Sequence, residues 1–432
     1  MRITKIETIR INDPVGEAWY APKGILWVQV YTDKGTVGLG ETWYAPSIVE
    51  AAIHDWFGPL LIGRDAFAIE RHWTDAFRLS DHAGYGGAEQ RAISALDMAL
   101  WDIKGQAAGV PVYELLGGAV RKKVRVYATG APHVGAGELA KQHLDKGITA
   151  MKMGPTISMA GAWDGHYLHP KDLDRALQPL RDVRDAIGMQ IQIANDGHGK
   201  WSLPIAIQIA QAMEPYEIMW QEDLMPLMNP DSLAILQANT KSPVCISERL
   251  LSRWQFRQFI ENGSARVVMP DLIWTGGISE TWKIATLASA HQAPVAPHDA
   301  TGPVNIFACA QICMACPSAM IMEHVRPYFE GWYAKYVDPN LDIRDGFLHA
   351  PQRPGIGTRL RPEVRDMTDV LVRVSDTPGT SVIDHFDEYS LRSPRLAADF
   401  EWAHQLRKAQ AHAGGAAEPV GGTKKGGRRV SK

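Results

Sequence analysis

IQIANDGHGKWSLPIAIQIAQAMEPYEIMWQEDLMPLMNPDSLAILQANTKSPVCISE, residues 191–248, carries the pattern that decides the fold. Three short apolar runs lead into Asp196, Glu222 and Glu248. Between them stand PIAIQIAQAME and PDSLAILQANT, whose apolar residues recur at helical spacing. A short apolar run followed by a helical segment, repeated at a near-constant period, is the signature of parallel βαβ units.

The pattern extends in both directions. VRVYATG (124–130), AMKMG around Lys152, ARVVMPD ending in Asp271, APVAPHD with His298 and AMIMEH with Glu323 bring the candidate strands to eight. From Asp196 onward the marked residues are 26, 26, 23, 27 and 25 positions apart. An open doubly wound sheet gathers its site at one switch point, and no Gly-rich phosphate loop follows a first strand here. A closed barrel draws chemistry from the C-terminal ends of many strands. The ionisable residue at the end of nearly every run therefore predicts an α/β barrel.

The first 120 residues read differently. ITKIETIRI and ILWVQVYTDKGTVGLGETW alternate as antiparallel strands, with a hairpin turn at Asp33-Lys34-Gly35. AEQRAISALDMALWDIKGQAAG then places Ile93, Leu96, Leu100 and Ile103 at helical spacing, and a helix end is expected near Gly105. The expected organisation is a capping α+β domain at 1–120, a barrel at 121–345, a segment at 346–412 that returns to the cap, and a disordered basic tail at 413–432.

The bulk composition excludes several classes. The chain is 45% hydrophobic and 22% charged, with a formal net charge of -3, so no global field attracts nucleic acid or an anionic membrane. No apolar run approaches the roughly 18 residues of a membrane span, and MRITKIETIR has no signal-peptide core. Four cysteines in 432 residues build no disulfide framework. A cytoplasmic enzyme acting on a small molecule, with no nucleic-acid or membrane partner, is expected.

Asp196, Glu222 and Glu248 close three consecutive strands. Such carboxylates repel one another unless a cation stands among them. Oxygen-only donors without cysteine suit Mg²⁺ better than Zn²⁺; ion pairs with Lys or Arg at the barrel rim are the plainer alternative. In DGHGK, Asp196 and His198 lie two apart, which on a strand aims them the same way.

With these residues in view, the chain resembles the enolase superfamily, in its mandelate racemase-like group. The likeness is carried by AISALDMALWDIKGQAAGVPVYELLGG (92–118), Lys152, Asp196, Glu222, Glu248, Asp271 with WTGGISE, PHDATGP around His298, and PGIG at 354–357, and it spans about residues 1 to 400. The resemblance implies a modified (β/α)₇β barrel under an N-terminal α+β cap. It also implies an essential Mg²⁺, which stabilises the enediolate formed when a proton is removed beside a carboxylate, and a homo-oligomer is expected.

Family members differ in their acid–base residues. Where many racemases and cycloisomerases have Lys-x-Lys, this chain has Lys152-Met153-Gly154. Asp196-Gly197-His198 instead resembles the Asp-x-His sugar-acid dehydratases of galactonate and mannonate type. The resemblance implies Asp196, Glu222 and Glu248 as metal ligands and Asp271–His298 as a dyad. It also implies His198 as the partner acid, and Lys152 and Glu323 as substrate-holding groups. His298 is assigned to C2 proton abstraction and His198 to the departing 3-hydroxyl, although the two roles are exchangeable on sequence alone. The expected reaction is loss of water from an aldonic or aldaric acid to give a 2-keto-3-deoxy acid. Epimerisation or cycloisomerisation on the same scaffold is the alternative, and a non-catalytic sugar-acid-binding protein a lower one.

Gln221-Glu222-Asp223-Leu224 departs from the family's Glu-Glu-Pro or Glu-Gln-Pro run, which leaves Asp223 as a rival ligand. The interval after Lys152 holds Trp163, His166, Tyr167 and His169, and the N-terminal segment holds Trp19, Tyr20 and Lys23, all substrate-contact candidates beside an ordinary surface reading. Cys309, Cys313 and Cys316 have the spacing of a radical iron–sulfur motif, but FACAQICMAC reads as a packed helical stripe.

Overall fold

The computed structural model describes residues 1–11, 24–130, 135–157 and 165–378. The expectations for the basic segment 413–432 and for Trp19, Tyr20, Lys23 and Trp163 fall outside these residues. Among the described residues no helix is long and apolar enough to cross a membrane.

The cap begins with strands β1 (Ile3–Ile11), β2 (Ile25–Thr32) and β3 (Val37–Trp43), paired antiparallel in that order. Gly35, at φ 77°, supplies the left-handed residue that the β2–β3 turn requires. Helices α1 (Ile69–Leu79) and α2 (Ala88–Ala108) follow. α2 does not end near Gly105 as expected; it runs on to Ala108 and closes at Gly109, whose φ is 72°. Gly105 serves packing instead. A Cβ there would stand 2.7 Å from the Cα of Gly355, so the missing side chain lets the PGIG segment lie directly on the helix.

The barrel strands are β4 (Lys123–Ala128), β5 (Ala150–Met153), β6 (Gln192–Asp196), β7 (Ile218–Glu222), β8 (Val244–Ile246), β9 (Val267–Val268) and β10 (Met322–His324). β4 through β9 are neighbours in chain order, and β10 pairs parallel with β4. The run at 293–298 is not a full strand. Pro294 and Pro297 lack N–H groups, so the ladder shrinks to single bridges from Val295 to Val268 and Ala319. Those bridges still close the ring, with Val295 N–H donating to Ser318 O (2.9 Å) and Ala296 N–H to Val268 O (3.0 Å).

Seven helices connect the eight wall positions: α3 (Ala136–Asp145), α4 (Pro170–Ile187), α5 (Leu203–Met213), α6 (Pro230–Ala238), α7 (Ser252–Glu261), α8 (Gly277–Ala290) and α9 (Pro303–Ala315). The fold is a modified (β/α)₇β barrel with an N-terminal α+β cap. Cys309 and Cys313 lie within α9 and Cys316 just after it, all buried and free, which makes them a packing stripe. Past the barrel the chain returns as β11 (Val370–Ser375), pairing antiparallel with β1 and placing Ser375 opposite Ile6.

The barrel floor explains the ladder of ionisable residues. Tyr127, Ala150, Ala194, Trp220, Cys245, Val267, Met269, Ala296 and Ile321 form one buried cluster drawn from all eight wall positions. Strand residues two apart share a face. Counting two onward from this layer reaches Lys152, Asp196, Glu222, Asp271, His298 and Glu323, so the interior face of the wall carries its chemistry one layer nearer the mouth. Glu248 is the exception, since two beyond Cys245 is Ser247; β8 has ended, and Glu248 enters from the following loop.

Candidate active site

His298 and Asp271 are brought together, with Nδ1 of the imidazole 2.6 Å from Oδ2 of the carboxylate and both side chains buried. The other Asp271 oxygen accepts from the backbone N–H of Ile273 at 2.9 Å, capping the short helix Leu272–Thr275. This bond fixes the carboxylate, and the carboxylate fixes the ring. Burial opposes the imidazolium, but Glu323, Glu248 and Asp271 outweigh it and push the His298 pKa up to about 10. Burial holds Asp271 above its ordinary value despite the imidazole beside it.

Lys152 stands across the mouth, its Nζ 2.8 Å from Oε1 of Glu222 and 2.9 Å from Oε1 of Glu323. Burial opposes its charge, yet Glu222 and Glu323 hold the ammonium pKa well above its ordinary value. The expected substrate-holding pair, Lys152 and Glu323, thus hold each other in this structure, because a buried charge needs a counter-charge. Glu323 also accepts from the N–H of Asp299 at 3.0 Å and comes within 3.7 Å of Nε2 of His298. Despite its burial, Lys152 and His298 keep its carboxyl below the usual range.

Asp196 ends β6, and His198 folds back onto it, with Nε2 3.0 Å from Oδ2 and the backbone N–H 3.0 Å from Oδ1. The fold-back follows from the backbone: His198 has a left-handed φ of 53°, rare outside glycine. A Cβ on Gly197 would lie 2.7 Å from the Cα of Leu224, so the Asp-Gly-His order is sterically enforced. His198 remains nearly half exposed, open to the mouth.

The three candidate metal ligands lie on adjacent wall positions, with Asp196 registered opposite Glu222. Among the described residues, no three acidic, His or Cys groups converge to metal-holding distance on one point. Each acid is instead drawn to a neighbouring base: Glu222 to Lys152, Asp196 to His198, and Glu248 towards Arg249, whose Nη2 lies 3.6 Å away. Asp223, the rival ligand, turns aside to Ser247 and to Nε of Arg249 (3.1 Å). Burial pushes Glu222 well up, and Asp196, Glu323 and Glu248 add to the push. Acids crowded this way, offering oxygen alone, are a donor set that a hard divalent cation would relieve. In donor chemistry the residues fit Mg²⁺, and holding it would require the acids to turn from Lys152, His198 and Arg249.

Several residues around the site had no place in the sequence reading. Asn305 Nδ2 donates to Asp299 Oδ1 at 3.0 Å and lies 3.4 Å from Asp271 Oδ1, directly behind the dyad. Glu41 on β3 accepts from the N–H of Asn305 (3.0 Å) and of Val304 (3.2 Å) and from Trp27 Nε1 (2.8 Å), tying the cap to the start of α9. Trp274 lies 5.7 Å from the His298 ring and stacks on Trp43 of the cap at 5.9 Å. Asp299 lies within PHDATGP and Trp274 within WTGGISE, but only geometry assigns them neighbours. In the 156–172 insertion, His169 accepts from the N–H of Lys171 and starts α4, while Tyr167 is exposed. Gly154 occupies the place of a second lysine, and Ile157 fills the space its Cβ would take.

The "Mandelate racemase / muconate lactonizing enzyme, N-terminal domain" model matches residues 20–117, and the "Enolase C-terminal domain-like" model matches 135–364. The chain belongs to the mandelate racemase-like group of the enolase superfamily. It is 33% identical over 372 residues to a D-galactonate dehydratase of Variovorax paradoxus, covering 84% of this chain and 93% of that enzyme. A D-galactonate dehydratase of Ralstonia pickettii is 31% identical over 374 residues, covering 83% and 91%. Among solved structures, an enolase of the mandelate racemase subgroup from Agrobacterium tumefaciens superposes with a TM-score of 0.80 at 39% identity, covering 87% of this chain and 99% of that one. An enolase protein from Sargasso Sea environmental sequence gives 0.81 at 38% identity, with 88% and 100% covered.

Proposed function

We propose that this sugar-acid dehydratase, a hydro-lyase, removes water from an aldonic or aldaric acid and yields a 2-keto-3-deoxy acid. The observation that carries the reading is the pair of histidines, with His298 anchored on Asp271 and His198 on Asp196, where a lysine-based racemase would need a second lysine in place of Gly154. Two imidazoles on different wall positions supply the base and the acid that an elimination requires.

In this reading His298 takes the proton from C2 in its neutral form, which requires the charges of Glu323 and Glu248, the groups that raise its pKa, to be offset in the loaded site; Asp271 then steadies the imidazolium that results. His198 gives a proton to the 3-hydroxyl as the C3–O bond breaks, so hydroxide leaves as water. The enol that remains tautomerises to the 2-keto product. Lys152 and Glu323 orient the carboxylate end, with Lys152 turning from its carboxylate partners to the substrate. Asp196, Glu222 and Glu248 would hold Mg²⁺, which supplies the positive charge that makes a proton beside a carboxylate removable.

The test is proton NMR in D₂O with Mg²⁺ and pools of aldonic and aldaric acids. Loss of substrate signals with growth of a 3-deoxy methylene, abolished by EDTA and by His298→Asn, is expected. Deuterium entering C2 without elimination would replace the dehydratase by an epimerase.

A further inference from the structure

One cation near the dyad has no part in this mechanism. Arg91 lies in the first turn of α2, half-buried, and its Nη1 donates to the carbonyl of Trp43 at 2.9 Å. Its guanidinium carbon stands 4.2 Å from the centre of the Trp274 ring and 5.7 Å from that of Tyr44. A single indole therefore separates the guanidinium from the His298 imidazole.

This arrangement is unusual for an arginine. Among the described residues no carboxylate lies within ion-pair distance of Arg91, although withdrawn charges are ordinarily paired. Burial pulls its pKa down to about 10, against the opposing influence of Asp271, Tyr44 and Glu248, so it lies within electrostatic reach of the dyad and of a candidate ligand. Trp274 supplies a second, independent sign, since its indole N–H is buried and finds no acceptor among the described residues. The turn that presents Trp43 O to the guanidinium is built from two consecutive left-handed residues, Tyr44 (φ 72°) and Ala45 (φ 51°). Two underused donors thus share one ring stack on the cap side of His298, remote in the wall from Lys152.

We propose that Arg91 receives the second carboxylate of an aldaric acid, so that this site takes dicarboxylic sugar acids in preference to their aldonic counterparts. The inference rests on the dehydratase reading and adds which end of the substrate the cap recognises. The planar fork of a guanidinium matches a carboxylate, and a terminal CH₂OH offers no charge to answer it. Lys152 and the carboxylate ligands serve the reacting end; Arg91 serves the far one.

The test uses substrate pairs that differ only at C6, galactonate with galactarate and gluconate with glucarate. For each pair the ratio of kcat/KM, aldarate over aldonate, is measured in the Mg²⁺-loaded protein and in Arg91→Leu and Arg91→Lys. Because the ratio is taken within one protein, general damage to the fold cancels. The expected result is a ratio well above one in the unaltered chain, falling roughly ten- to hundredfold in Arg91→Leu, the worth of a charge-assisted hydrogen bond. Arg91→Lys should restore part of it. An aldonate preference in the unaltered chain, or an unchanged ratio in Arg91→Leu, overturns the inference and leaves the dehydratase standing. If neither class is turned over, the dehydratase reading fails. Calorimetric binding of galactarate and galactonate then decides: selective loss of galactarate in Arg91→Leu sustains Arg91's role, and equal loss or none overturns it.

Discussion

Nδ1 of His298 lies 2.6 Å from Oδ2 of Asp271, and the second Asp271 oxygen is taken up by the N–H of Ile273. The carboxylate can therefore neither rotate nor release the ring without breaking a buried bond. Asp271→Asn keeps the shape but removes the charge that steadies an imidazolium. Exchange of the C2 proton, followed by NMR in D₂O, should slow by about 10²- to 10⁴-fold with circular dichroism unchanged. An unaltered exchange rate would separate Asp271 from the chemistry.

Lys152 is shared by Glu222 and Glu323. Lys152→Met strands both acids in a buried site, and urea unfolding should show a loss of about 3–5 kcal/mol. The double variant Lys152→Met with Glu323→Gln should recover part of that loss, since it also removes one stranded charge. Additive effects would mean that the pair is not coupled.

Mutual repulsion at Glu222 predicts a response to Mg²⁺ that needs no substrate. The folded chain should be stabilised by about 2.7 kcal/mol at a Mg²⁺ concentration one hundred times its dissociation constant. EDTA should reverse the gain, and Glu222→Gln should diminish it. Thermal unfolding with and without Mg²⁺ reads this directly, and an identical gain in Glu222→Gln would exclude Glu222 as a ligand.

Asp102 on α2 accepts from the N–H groups of Leu39 and Ile356, both at 2.9 Å, and burial pushes its pKa up to about 7. In the unfolded chain an aspartate titrates near 3.9. A pKa raised by folding gives stability that is fully present below about 4 and is lost as pH rises through 7, up to about 4 kcal/mol for this group. Asp97 and Glu41, also pushed up to about 7, act in the same direction. The informative quantity is therefore the difference between the unaltered chain and Asp102→Asn, whose urea midpoint should fall less between pH 5 and pH 8. Parallel midpoints would remove the effect from Asp102.

Glycine to alanine inside a helix ordinarily stabilises by about 1 kcal/mol. At Gly105 the sign should reverse, because the added methyl meets backbone at 2.7 Å. Gly105→Ala should destabilise by about 1–3 kcal/mol, the range for overpacking. A gain in melting temperature would show that the PGIG segment moves aside freely.

The barrel was legible because its period is written into the chain: residues marked by charge recur where the interior face reaches the mouth. The closeness of His198 to Asp196 was legible, but not its cause: the strand stops at Asp196, and a left-handed turn at His198 (φ 53°), not alternation along a strand, folds the imidazole back onto the carboxylate. The wall at 293–298 was readable as a position but not as a bridge-only strand, because that depends on which N–H groups its two prolines remove. Gly105 was misread since a packing glycine and a terminating glycine look alike until Gly355, far away in sequence, is brought beside it. Arg91, Glu41 and Asn305 were invisible for a related reason. Their partners lie on other elements far away in sequence, and no periodicity encodes a contact across that distance. The turning of Lys152 towards Glu323 likewise depends on the closure of β10 onto β4.

The pairing of β1 with β11 has a consequence for how the molecule comes into being. Strand β1 finds one of its neighbours only after the whole barrel has been synthesised, so a nascent cap emerges with one edge of its sheet bare. Closing so long a loop is entropically slow, which predicts an order of assembly in which the barrel and the three-stranded cap form first and β11 clasps them. Because Arg365 of the returning segment pairs with Glu7 and Arg373 with Asp55, that clasp is partly ionic. Maturation of the chain in high salt should therefore be delayed at its last step, after the catalytic mouth has already taken shape.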